Sequence, residues 1–149
     1  MGGLGGIFEL AKRNGASADP VLRQDLMRLH TMQQIARYNN LRAKAAKEAG
    51  HDIPGLPNLS KLSMSRMMRL ARDLGPRILG PGGQLVGRHA PAGGAMAELT
   101  LFSPAVSIYG GSDEVQHNII GERVLGLPSE PRTDRDLPFS QLRRSGSES

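Results

Sequence analysis

A chain of 149 residues with 38% hydrophobic residues, no Trp, two Tyr and three Phe has the material for one domain with a modest core, which leans on neighbours. The absence of Cys excludes a disulfide framework and a thiolate metal site, and no apolar run approaches the roughly 20 residues of a membrane-spanning helix. The expectation is a cytoplasmic protein without a membrane span. The net charge of +5 is uneven, because residues 1–90 carry 14 Lys and Arg against 6 Asp and Glu while residues 91–149 carry 5 against 8. The cations are dispersed, as in Arg66, Arg69 and Arg72, and aromatics for base stacking are nearly absent, which points to a solvated helical face and not to nucleic acid; contact of some of them with the phosphates of a nucleotide cofactor or coenzyme A is the alternative.

In chain order, Gly2 to Gly6 form a flexible start that lacks the basic region and apolar core of a secretion signal. Ile7 to Lys12 read as the end of a truncated helix, and Asn14 to Ala18 as a turn. Asp19 is an N-cap, Pro20 a first helical residue and Gly50 a far end, bracketing a helix of about 30 residues with an apolar stripe of Leu22, Leu26, Leu29, Met32, Ala36 and Ala43. After a linker, His51 to Asn58, with Pro54 and Pro57, the residues Leu59, Leu62, Met67, Leu70, Ala71 and Leu74 outline a second amphipathic helix ending at Gly75.

The loop Arg77-Ile78-Leu79-Gly80-Pro81-Gly82-Gly83 has the glycines that let backbone amides approach an anion, but neither a Walker motif nor a dinucleotide fingerprint surrounds it. Spacing alone makes it a structural turn. Met96 to Ile108 suggest a shorter helix interrupted near Pro104. Then Gly110 and Gly111 supply a turn, Ser112 an N-cap, and Asp113 and Glu114 acids at the positive end of a helix dipole. Val115, Ile119, Ile120, Val124 and Leu125 recur on one side, and Gly126 with Pro128 ends the element. The tail from Ser129 is polar and expected to be partly disordered. No segment has a strand pattern, so the fold class is all-α, an antiparallel up-and-down bundle of three to four helices. The organisation is a start over 1–18, a helical domain over 19–128 and a tail over 129–149.

His30, His51, His89 and His117 have no zinc-ligand spacing, Met64, Met67 and Met68 read as core or interface filler, and no serine sits in a Gly-x-Ser-x-Gly setting. The run from Tyr109 through Gly110-Gly111-Ser112-Asp113-Glu114 and Asn118-Ile119-Ile120 to Glu122-Arg123-Val124-Leu125-Gly126-Leu127-Pro128 is more specific. It resembles, without gaps, the last helix of the acyl-CoA dehydrogenases, written there as Tyr-Glu-Gly-Thr-Ser-Glu-Ile-Gln-Arg-Asn-Ile-Ile-Ala-Glu-Arg-Val-Leu-Gly-Leu-Pro. The order of elements from Asp19 to Pro128 also follows that family's C-terminal domain, with residues 80–83 where the family has Gly-Gly-x-Gly.

The resemblance implies oxidation of the α,β bond of an acyl-CoA thioester, with a carboxylate removing the α proton and the hydride passing to FAD. It implies partners as well: acyl-CoA, further acyl-CoA dehydrogenase subunits in a homo- or hetero-oligomer, and electron-transfer flavoprotein. Gly110 occupies the position of the usual Glu base, so no catalytic residue is assigned to this chain. In some branches the base lies on an earlier helix; Glu9, the carboxylate preceding the long helix, reads as a surface residue. The family's Arg-x-x-Phe-Gly element before the long helix is absent, and Gln24 retains only the Gln that follows it. The resemblance assigns cofactor contact to Gln24, Gly80, Gly82, Gly83, Ser112, Asp113 and Glu114. Pro81 removes an amide from the loop, the paired acids Asp113 and Glu114 repel a pyrophosphate, and His117 replaces a usual Arg. An interaction module of the same ancestry, without a redox step, is the alternative, with Ile119, Ile120 and Leu125 as its assembly face.

Overall fold

The computed structural model describes residues 4–129 and 138–141, and among these the chain has five α-helices and no strand. They are α1 (Gly6–Arg13), α2 (Pro20–Glu48), α3 (Leu56–Leu79), α4 (Ala95–Val106) and α5 (Asp113–Ile119), the last continued by a π-helical turn, Ile120–Val124. The expected all-α bundle is the observed one, with a packed first helix: Ile7 and Ala11 of α1 are fully buried. Most of the tail over 129–149 lies outside the described residues.

Helix α2 starts where Asp19 can cap it, its carboxylate accepting from the amides of Val21 at 2.7 Å and Leu22 at 3.0 Å, and Pro20 costs nothing in a first turn whose amides have no partner. Its stripe of Leu22, Leu26 and Leu29 enters the core, but Ala43 is exposed and Ala46 is buried instead. Antiparallel to it runs α3, the axis of the fold. Asn14 donates to the carbonyl of Ile78, and Arg77 pairs with Asp25 at 2.7 Å, so the end of α3 lies beside the start of α2. The core gathers Ile7, Leu26, Leu29, Met67, Ala71, Leu74, Ile78 and Met96 from four helices, and each fully buried Leu or Ile stabilises by about 1.5–3 kcal/mol.

Two boundaries correct the expectation from sequence. Helix α3 begins at Leu56, with Pro57 in the first turn where a missing amide is harmless, and runs through Gly75 and Pro76 to Leu79. Gly75 keeps helical geometry and serves packing: a Cβ there would lie 3.0 Å from Met96 Sδ, so its absence lets α4 approach. Helix α4 is likewise unbroken at Pro104. The proline leaves the Thr100 carbonyl without an amide, and the buried Ser103 hydroxyl donates to that carbonyl at 3.0 Å.

Candidate functional site

Two patches carry the residues singled out from sequence, one on each half of α3. The first is the turn between α4 and α5. Gly110 (φ +66°) and Gly111 (φ +85°) both lie in the left-handed region, which reverses the chain within two residues. A Cβ on Gly111 would meet Gln116 Nε2 at 2.7 Å, whereas nothing lies within 4 Å of one on Gly110. Ser112 is extended and its hydroxyl accepts from the Val115 amide at 3.4 Å, capping α5 as expected.

The face of α5 turned to α3 is polar. Gln116 is buried; its Nε2 donates to the Gly110 carbonyl at 2.9 Å and its Oε1 accepts from Asn58 Nδ2 at 2.7 Å. Asp113 is also buried, and both carboxylate oxygens are taken: Oδ1 by Lys61 Nζ at 2.9 Å and Oδ2 by Arg69 Nη1 at 2.8 Å. Arg69 donates as well to the Ser107 hydroxyl, and the buried Ser65 donates to the Val106 carbonyl at 3.2 Å. Burial acts to raise the Asp113 pKa, but the hydrogen bonds and charges of Arg69 and Lys61 outweigh it and hold the carboxyl well below the usual carboxylate range. Glu114, exposed beside it, is lowered by its own backbone amide and the Ser112 hydroxyl. The apolar residues Val115, Val124, Leu125 and Leu127 face outward.

At the far end of α3 lies the second patch. Gln24 is exposed on the first turns of α2, next to Asp25, whose pKa is lowered chiefly by the hydrogen bond from Arg77. Gly80 (φ +59°, ψ −143°) takes a conformation open to glycine and exposes bare backbone, with nothing within 4 Å of a would-be Cβ. Gly82 approaches Pro91, and the buried Gly83 lies so close to α3 that a Cβ would sit 2.9 Å from Pro76 Cα. The structural reading of the loop thus accounts for Gly83 fully. Lys61 and Gly80 are nineteen residues apart in sequence, roughly 28 Å at 1.5 Å per helical residue, so the two patches form no single pocket within this chain.

The sequence reading missed Lys61, Arg69, Asn58 and Gln116. A signal existed, since Lys61, Ser65 and Arg69 recur every four residues and so share one face of the helix. Arg69, taken for part of a solvated face together with Arg66 and Arg72, is half-buried and pinned to Asp113, while Arg72 pairs with its neighbour Asp73. Glu9 is exposed and pairs with Lys12 at 3.2 Å.

A family model, the C-terminal domain of acyl-CoA dehydrogenases, matches residues 8–125. Acyl-CoA dehydrogenase IpdE1 of Mycolicibacterium smegmatis is 39% identical over 127 residues, covering 83% of this chain and 30% of that protein. Its Mycobacterium tuberculosis counterpart is 37% identical over 131 residues, covering 87% and 32%. The chain therefore spans about a third of the length of these relatives. A solved structure, the Tcur3481-Tcur3483 steroid ACAD, superposes with a TM-score of 0.73 over 85% of this chain and 34% of its own, at 22% identity, and shows the same helical fold.

Proposed function

The chain belongs to the acyl-CoA dehydrogenase family, and on that premise we propose that it is the C-terminal helical part or small subunit of an FAD-dependent enzyme that oxidises the α,β bond of acyl-CoA thioesters. The observation that carries this reading is the match over residues 8–125 together with two exposed left-handed glycines, Gly80 and Gly110, that present bare backbone to open space. A Cβ at either would occupy the room a cofactor needs to approach the chain.

The residues present suit polar parts of FAD, which supplies the hydride acceptor when bound. Gln24 and the loop backbone at Gly80 and Gly82, seated on α3 by the buried Gly83, serve one contact surface; the Gly110 to Ser112 turn, with Glu114, serves another. The Ser112 hydroxyl and the Gln24 amide can each donate to phosphate, ribose or ring acceptors. Asp113 belongs to the second surface through the turn it holds. The separation of the patches fits contacts to two cofactors, or to distant parts of one, within an oligomer of acyl-CoA dehydrogenase subunits. A base for the α proton is absent at Gly110, so the remaining flavin site and the base come from other segments or a partner subunit. The isolated chain is accordingly inactive, and electrons leave the assembled enzyme to electron-transfer flavoprotein. Among the described residues no helix is long and apolar enough to cross a membrane, in keeping with a cytoplasmic enzyme.

Co-expression with a candidate partner subunit, followed by FAD titration of wild type and Ser112→Ala, tests this reading. Wild type should bind FAD and Ser112→Ala should bind it more weakly; an assembly indifferent to FAD would contradict it and favour the interaction module.

A further inference from the structure

Asp113 stands apart from the residues around it in the turn. Its side chain is 11% exposed, each oxygen already accepts from a cation on α3, and its amide donates to the Ser107 carbonyl at 3.1 Å. A carboxylate so engaged has little lone-pair capacity left for a ligand, and as an anion it would repel a phosphate. Its partners are placed to hold the chain on either side of the turn. Lys61 and Arg69 fix the residue after it, Arg69 also fixes Ser107 before it, and Asn58 orients Gln116, whose amide binds the Gly110 carbonyl from beneath. Three side chains of one helix thus reach, directly or through one relay, both ends and the middle of residues 107–113. The would-be Cβ of Gly111, 2.7 Å from Gln116 Nε2, shows how closely the turn is seated.

We infer that Asp113 and Gln116 are positioning residues that, with Lys61, Arg69 and Asn58 of α3, clamp the Gly110 to Ser112 turn in the geometry it presents to the cofactor, and that Asp113 itself does not touch the cofactor. The inference rests on the proposed function only in naming what the turn faces; the clamp is a property of this chain. It makes α3 the rigid member to which the cofactor-facing backbone is referred, and it assigns the charge of Asp113 to its two cations. Because Lys61 and Arg69 together outnumber the single carboxylate, the clamp leaves a net positive charge beneath the turn.

The test compares Asp113→Asn, Lys61→Gln, their double variant and the conservative Lys61→Arg in the complete chain, assembled with the partner that completes the flavin site. Amide hydrogen exchange at position 113, whose N–H donates to the Ser107 carbonyl, and at Gln116, whose N–H donates to the Ser112 carbonyl, should quicken in Asp113→Asn and in Lys61→Gln, with exchange in α2 unchanged. FAD affinity should fall about tenfold in each, no further in the double variant, and recover in Lys61→Arg, as for an outer group acting through another. If Asp113→Asn weakens FAD binding while Lys61→Gln leaves both exchange and affinity at wild-type values, Asp113 is a direct contact and the inference is overturned. Wild-type exchange in both variants overturns it equally. If the wild-type assembly binds no FAD, the functional reading fails, and the exchange arm still decides the clamp.

Discussion

At the scale of single residues, glycine does two different jobs in this chain, and substitution separates them. Gly110 is strained only by its backbone: a Cβ there meets nothing within 4 Å, yet φ is +66°. Gly110→Ala should cost about 1 kcal/mol, and Gly110→Glu about the same, as a shift of the unfolding midpoint. At Gly83 the obstacle is the Pro76 backbone 2.9 Å away. Gly83→Ala should cost more, about 1–3 kcal/mol, and loosen the contact of the loop with α3. Asp113 sets a pH dependence. Its folded pKa is depressed, so the unfolded chain binds more protons in acid; the stability it contributes is whole above the ordinary carboxylate pKa of about 3.9 and is lost as pH falls below it. Urea midpoints measured from pH 7 downward should fall in wild type and fall less steeply in Asp113→Asn.

At the scale of elements, local chemistry was legible and tertiary chemistry was not. Asp19, Pro20 and Ser112 mark helix starts from sequence because a cap acts within three residues. Gly75 read as a stop because the reason it is tolerated, Met96 packed against it, lies in the packing. Pro104 misled in the same way, its lost bond being replaced by the Ser103 hydroxyl. The buried side of α5 was missed because its polar residues are satisfied by Asn58, Lys61 and Arg69, which lie 44 or more residues earlier. Helix α3 packs against each of the other α-helices, so damage there should spread. Leu74→Ala, at a fully buried position, should cost about 2–5 kcal/mol and lower the single unfolding midpoint of α2, α3 and α4 together, read by circular dichroism.

At the scale of the whole molecule, the outward residues Val115, Leu125 and Leu127 leave an apolar face on and just after the last helix that the other described residues do not cover. Of the expected assembly residues, Ile119 and Ile120 are half-buried and Leu125 is exposed, so Val115→Asp with Leu125→Asp should reduce the mass found by light scattering if this face joins subunits; an unchanged mass would remove it from the interface. The fold class and the family run were readable from the sequence, whereas the division of the candidate site into two patches followed only from where α3 places them. The most direct test of the central claim is the visible absorbance of the chain purified alone and purified with its native partners. The chain alone should show no flavin bands and no dehydrogenase activity, and the assembly a flavin spectrum bleached by acyl-CoA; an assembly that stays colourless after FAD is added would contradict the proposed function.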